Sequence, residues 1–169
     1  CKSVISGKLN SANAEYIIKN LNFGIIQALA SKQNALVTGP ISKQNIIDSG
    51  IKFSGHTEWI QEKTKSDDVL MLLSAKQLRV ALVTTHIPLD KVTKSITKRK
   101  IIAKAKILNE DLKLKLKVKA PKLVMLGLNP HAGEGGTIGK QENLILKPAA
   151  KYLRKKGINI SDPISADTA

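Results

Sequence analysis

The sequence predicts an α/β layer fold, with a mixed, mostly parallel sheet flanked by helices. Two observations predict it. Short apolar runs alternate with amphipathic helical stretches along the chain, the pattern of helices packed on a largely parallel sheet. One pair of runs is too closely connected for a parallel crossover, so at least one pairing must be antiparallel. No internal repeat or long low-complexity linker interrupts the pattern, and 169 residues suit about one domain.

The elements follow in order. Residues 11–31 read as a helix. Ser11 is placed to cap it, and Ala14, Ile17, Ile18, Leu21, Ile25 and Leu29 fall on one face. Ala35–Val37 reads as a short strand ended by the turn Thr38-Gly39-Pro40. Ser42 suits the cap of a short helix that stops at Gly50. Residues 53–57 read as a loop, followed by a helix through Lys63. Residues 69–73 and 80–83 are strand-like, and only 74–79 lie between them. Pro88 opens a helical stretch, and a Lys-rich helix spans about 98–112. The alternating run KLKLKVK (113–119) fits either an edge strand with Lys facing water or the frayed end of that helix. Residues 123–126 read as a buried strand and 140–156 as a helix stopped by Gly157.

The formal net charge is +15, from 28 Lys+Arg against 13 Asp+Glu. Such a field attracts anions. The excess is nearly all Lys; Arg occurs only at Arg79, Arg99 and Arg154. Base and phosphate recognition leans on Arg forks and exposed aromatics, and only 3% of residues are aromatic. The Lys excess therefore reads as solvated surface, and neither nucleic acid nor membrane is expected as a partner. No apolar run approaches the roughly 18 residues of a membrane span, and the polar start has no signal-peptide core. Cys1 is the only cysteine, which excludes an intrachain disulfide and a cysteine zinc cluster. A cytoplasmic protein is the expectation. Opening on Cys1 instead of Met suggests a start that is not the natural one.

The chemistry-bearing residues concentrate in loops. His86 follows the run ending at Val83, within TTHIP. His131 follows the run ending at Leu126, within NPHAGEGG. His56 lies in SGHTE. Ligands of open α/β sheets bind at the carboxyl ends of strands. One such histidine alone reads as a hydrogen-bonded loop residue; three, with two at strand ends, suggest a site. Their spacing matches no local zinc motif. The glycines of 133–139 do not follow G-x-G-x-x-G, and no phosphate-binding loop of the G-x-x-x-x-G-K type is present. That stretch is either a turn whose glycines permit positive φ or a loop of free amides facing an anion or cofactor.

TGPISK (38–43), SGHTEW (54–59), TTHIPL (84–89), GLNPHAGEGG (127–136) and SADT (165–168), in this order, resemble the 4-hydroxythreonine-4-phosphate dehydrogenases of vitamin B6 synthesis. The relatives that act on four-carbon sugar-acid phosphates share much of the pattern. The resemblance implies the two-lobed α/β fold of isocitrate and isopropylmalate dehydrogenases, and a homodimer whose sites are shared between subunits. It implies that His56 and Thr57 bind the phosphorylated substrate and that His86 and His131 are two of three ligands to a divalent metal. It gives Asp167 an acid/base or supporting role. The cofactor would be NAD or NADP, with residues for it unassigned.

The implied reaction oxidises the C3 hydroxyl and passes hydride to NAD(P). The metal acts as a Lewis acid, and the resulting β-keto acid loses CO2. Histidine ligands favour zinc, with magnesium or cobalt as alternatives. Where the family shows two consecutive acids after GEGG, this chain has Gln141-Glu142. The family's third metal histidine and its later substrate-binding Lys, Asn and Arg lie beyond the ADT segment. The expectation is a central segment, residues 1–169, of a longer dehydrogenase. A catalytically incomplete relative is the competing reading.

Overall fold

The structure is a computed structural model of the chain, and it describes residues 2–76 and 78–169. Cys1 lies outside the described residues. The chain divides into two compact units, 1–69 and 70–169.

The first unit is built on helix α1 (Ala14–Ala30). A single 3-10 turn, Ser11–Asn13, precedes it, so the cap sits upstream of Ser11: the Asn10 side chain accepts from the Ala12 amide. The predicted apolar face is right in its first three turns, where Ala14, Ile18, Leu21 and Ile25 are buried. Its last member, Leu29, is exposed, because the core ends at Ile25. Ile46 and Phe53 complete that core.

Helix α2 (Lys43–Ile47) begins where Ser42 accepts a hydrogen bond from the Asn45 amide, as its sequence suggests. Gly50, at φ +87°, follows its end. Ala35–Val37 forms no strand; Val37 is almost fully exposed. Three residues without a hydrogen-bonded neighbour gain nothing from the extended form. Leu36 instead packs beside Gly24 of α1, where a Cβ would lie 2.7 Å from its Cδ1. Helix α3 (His56–Thr64) starts one residue after Gly55.

The second unit opens with the hairpin β1 (Met71–Ala75) and β2 (Leu78–Leu82), paired antiparallel from Met71–Leu82 to Ala75–Leu78. The short connection required this direction, and the strands run closer to the turn than the apolar runs alone indicated. Helices α4 (Leu89–Ser95) and α5 (Lys98–Leu114) follow. Thr97 caps α5, which buries Ile101, Ala105, Asn109 and Leu112 along one stripe. KLKLKVK is the end of this helix and the turn after it, not an edge strand.

The expected mostly parallel sheet is present only in outline. The sole named sheet among the described residues is the antiparallel hairpin. Parallel pairing occurs as two single bridges, Leu123–Ile160 and Leu126–Ile164. The Leu123 amide donates to the Asn159 carbonyl, and the Leu123 carbonyl accepts from the Ser161 amide. Further along, Ile164 donates to Met125 and Gly127 donates to Ile164. Between the bridges the Met125 amide turns to the Ser161 hydroxyl at 3.0 Å, so a side chain interrupts the backbone ladder.

The parallel partners are joined by a crossover that contains a π-helical turn, Glu142–Leu146, running into α6 (Lys147–Lys155). This helix buries Ala150 and Leu153 against Ala105, Ile158 and Ile160, and Ala149 against Ile96, Ile101 and Leu146. The crossover therefore packs on the pair it connects, as parallel connections must. Gly157, at φ +78°, ends it.

Candidate functional site

The two parallel segments deliver their carboxyl ends to the residues that the sequence singled out. The first runs into the loop carrying His131, and the second runs into Ser165-Ala166-Asp167. Ligand crevices of α/β folds lie at this edge. His131 Nδ1 stands 3.6 Å from Asp167 Oδ2. That is ion-pair range for an imidazolium but too long for a hydrogen bond. Both side chains are more than half exposed. The Ser165 hydroxyl donates to the Asp167 carboxylate. This hydrogen bond, with help from the Asp167 backbone amide and the nearby His131, holds the Asp167 carboxyl below its usual range.

The His131 loop has an unusual backbone. His131, Ala132, Gly133, Glu134 and Gly135 all have positive φ, between 45° and 77°. For His131, Ala132 and Glu134 the left-handed region costs roughly 1–2 kcal/mol each. Such a run persists only where its surroundings over-determine it. The glycine-rich stretch is therefore a left-handed turn held from outside.

Beside the loop lies Glu142, which is 1% exposed. Its Oε1 accepts from the Leu128 and Asn129 amides, both at 2.8 Å. Its Oε2 accepts from Asn129 Nδ2 at 2.8 Å, and the second proton of that amide reaches Gln141 Oε1 at 2.9 Å. Burial pushes the Glu142 carboxyl up, but the hydrogen bonds from Asn129 and from the Leu128 amide outweigh it and keep it below the usual glutamate range. A lowered folded value means that Glu142 stabilises the fold above the ordinary glutamate range. That contribution is lost as pH falls through the lowered value. Urea titrations from neutral to acid pH should show a steeper loss of stability in the native chain than in Glu142→Gln, which lacks the titrating group. Parallel curves would remove the linkage.

His86 follows β2 after Val83-Thr84-Thr85. It is exposed and also adopts positive φ, at 52°. Val83 and Leu128, each three residues before one of these histidines, pack against one apolar cluster formed by Ile96, Ile101, Leu146 and Ala149. The chains leading to both histidines thus leave the same patch of core.

His56 and Thr57 belong to the first unit and form the first turn of α3, not the loop that the sequence suggested. Gly55, at φ 160°, makes no side-chain cap, so amides at this helix start have no capping partner from it. The His56 ring packs edge-on to Phe53 at 6.1 Å, and Phe53 is buried beside Trp59. Trp59 in turn donates from Nε1 to Asn22 of α1 at 2.8 Å. A Cβ at Gly55 would lie 2.8 Å from Glu58 Oε2 and 3.4 Å from Lys43 Nζ. TGPISK and GHTE are therefore brought together inside this unit.

The metal expectation fits in kind and falls short in number. Exposed imidazoles at His86 and His131 are suitable donors. Yet among the described residues no three His, Cys, Asp or Glu side chains converge on one point. Sequence reasoning missed the hydrogen bonds between Asn129 and Glu142, and the nearness of Lys43 to Gly55 before α3. Asn129 and Lys43 lay inside recognised motifs, so motif membership was their signal. Glu142 had only its retained charge.

The chain spans about half the length of the curated relatives it matches. It is 45% identical over 164 residues to the 4-hydroxythreonine-4-phosphate dehydrogenase of Colwellia psychrerythraea, covering 97% of this chain and 50% of that protein. Among solved structures, the 4-hydroxythreonine-4-phosphate dehydrogenase of Klebsiella pneumoniae superposes with a TM-score of 0.90 at 27% identity, covering 99% of this chain and 51% of that one. The enzyme of that name from Burkholderia phymatum gives a TM-score of 0.83 at 31% identity, covering 98% and 50%. Residues 1–169 match throughout the family described as pyridoxal phosphate biosynthetic protein PdxA, and the chain belongs to that family.

Proposed function

We propose that this chain is the central part, residues 1–169, of a 4-hydroxythreonine-4-phosphate dehydrogenase. The complete protein would oxidise and decarboxylate that substrate with NAD or NADP during pyridoxal phosphate synthesis. The single observation that carries the reading is the meeting of the NPHAGEGG loop and SADT at one carboxyl edge, with His131 3.6 Å from Asp167. The relatives' names carry the substrate. Dehydrogenases of related four-carbon sugar-acid phosphates are the alternative within the same chemistry. The finer expectations belong to the same proposal. They are an isocitrate dehydrogenase-like, mostly parallel sheet in the complete lobes, a homodimer with shared sites and a cytoplasmic location. No described helix is long and apolar enough to cross a membrane.

Within this reading each residue has a physical task. His86 and His131 offer imidazole donors to a zinc-like divalent metal, with further ligands supplied from outside this chain. Asp167, ionised and anchored by Ser165, faces Nδ1 of His131. A carboxylate on the Nδ1 side leaves Nε2 for an ion, and closing from 3.6 Å to hydrogen-bond distance when metal binds would fix the tautomer, as carboxylates behind metal-binding histidines do. His56 and Thr57, at the start of nine-residue α3, suit the phosphate or carboxylate of the substrate, since helix amino-termini favour anions.

The direct test is zinc titration of the chain by calorimetry beside its His86→Ala and His131→Ala variants. Weak binding that both substitutions reduce is the expected result. Binding indifferent to both would remove them as ligands. In a protein extended to the relatives' length, His56→Ala is expected to raise KM by about 10-fold or more, as loss of a charge-assisted hydrogen bond does. Metal content should be unchanged. Loss of metal in that variant would instead place His56 on the ion.

A further inference from the structure

We infer that Glu142 is a positioning residue, acting through Asn129 to hold the 127–139 loop in the left-handed conformation that presents His131 to Asp167. The inference deepens the proposed function and rests on His131 being a site residue there. The observations are geometric. Glu142 is almost fully buried, and its hydrogen bonds to the loop fall on two consecutive residues, Leu128 and Asn129. These immediately precede Pro130 and the six positive-φ residues that begin at His131.

The loop is also shaped to admit the carboxylate. A Cβ at Gly133 would lie 2.6 Å from Glu142 Oε2 and 2.9 Å from the Gly139 carbonyl. A Cβ at Gly139 would collide with the side-chain amide of Asn129. A Cβ at Gly127 would lie 2.7 Å from Ala132 Cα. Three glycines thus give way at the points where the clamp closes. Glu142 itself is carried by the π-helical turn, whose other buried member, Leu146, packs in the core. The carboxylate thus ties the backbone before His131 to the core, beside the packing of Leu128 and the bond that Asn143 Nδ2 donates to the Gly135 carbonyl. The family's paired acids also become separable in role. Gln141 needs only a carbonyl oxygen for Asn129, whereas Glu142 must accept from three N–H groups with both oxygens.

That accounting gives a test that replaces one hydrogen-bond polarity at a time. In Glu142→Gln, Oε1 still accepts from the two backbone amides, but the new side-chain amide nitrogen faces the donor Asn129 Nδ2. Adding Asn129→Asp reverses the second partner. The amide introduced at position 142 then donates to the carboxylate introduced at position 129, and the Gln141 amide turns over to donate as well. The charge count is also restored. The measurement is NMR on the metal-free 169-residue chain. Couplings and Cα shifts report φ at His131 and Ala132, and amide exchange is followed at Leu128, Asn129 and, as a core control, Leu153.

In Glu142→Gln, left-handed φ at His131 and Ala132 should be lost. Exchange at positions 128 and 129 should rise at least about 10-fold, with Leu153 unchanged. The double variant should return both readouts to within about 3-fold of the native chain. If Glu142→Gln fails to fold, a double variant that folds with native φ supports the clamp, and one that also fails to fold overturns it. A folded Glu142→Gln with native φ and native exchange overturns it too. Zinc titration of the same samples separates the two levels. If His131→Ala leaves zinc binding untouched, the ligand reading fails, while the φ and exchange values still decide the clamp.

Discussion

NADH formation from 4-hydroxythreonine 4-phosphate and NAD is expected to be undetectable with the 169-residue chain alone. It should appear, together with tight zinc binding, once the chain is extended to the length of its relatives. Catalytic zinc sites usually take three protein ligands. Among the described residues no three candidate donors converge, and the two histidines that fit are both exposed. Changing only a hydrogen-bond partner of a ligand weakens a metal site by roughly 10–100-fold. A missing ligand should do more, and the substrate would also lack whatever the remaining length of the relatives contributes. In the extended protein, His131→Ala should bring turnover back to the level of the short chain, a loss well beyond about 100-fold. Absorbance at the NADH band with added zinc, run on the short chain, the extended protein and the variant, decides it. Robust turnover by the short chain would mean that it completes a site unaided.

The parts of this fold that were legible in sequence are those set by local rules. The hairpin was legible because 74–79 is too short for a crossover, and a two-residue connection is a local device. The cap at Ser42 and the apolar face of α1 as far as Ile25 follow from hydrogen-bond chemistry and a 3.6-residue period. Ala35–Val37 failed because an apolar triplet says nothing about whether a neighbouring strand exists to pair with it. The parallel pair was half legible. Residues 123–126 were found, but the interruption by Ser161 depends on a hydroxyl 36 positions away from the amide it binds.

The site shows the same division. His131 follows the parallel segment that ends near Leu126, and Asp167 reaches the same edge at the end of the partner segment. Residues 53–57 read as a loop, whereas Gly55 is the residue that precedes the helix and His56 opens it. The left-handed run was only partly signalled. Gly133, Gly135 and Gly136 permit it, but nothing in the letters His, Ala or Glu at 131, 132 and 134 announces positive φ. Glu142 was the least legible of all. Its partners lie 13 and 14 residues back, and its contribution exists only once the loop has closed over it.

Two glycines of one motif should respond very differently to alanine, and the contrast measures how tightly that loop closes. Gly133 and Gly135 have nearly equal φ, 77° and 70°, so the left-handed penalty of an added Cβ, roughly 1 kcal/mol in a Gly-to-Ala comparison, is common to both. Around Gly135 nothing lies within 4 Å of the new Cβ. At Gly133 the methyl would meet Glu142 Oε2 at 2.6 Å, its Cδ at 3.1 Å and the Gly139 carbonyl at 2.9 Å. Neither neighbour yields easily. The carboxylate is fixed by three hydrogen bonds, and the carbonyl is backbone. Overpacking of this kind adds about 1–3 kcal/mol. Displacing the carboxylate would also leave buried N–H groups unsatisfied, at about 1–3 kcal/mol more. Gly135→Ala should therefore lower stability by about 1 kcal/mol, and Gly133→Ala by about 3 kcal/mol or more. Urea unfolding of the second unit, followed by near-UV and NMR signals from α6, measures both. Adding Glu142→Ala to each glycine variant supplies the control. With the carboxylate gone, the gap between the two glycines should shrink to what the Gly139 carbonyl, 2.9 Å from the new Cβ at Gly133, still costs. If Gly133→Ala stays about 2 kcal/mol worse than Gly135→Ala in that background, the Gly139 carbonyl, and not Glu142, sets the space around Gly133.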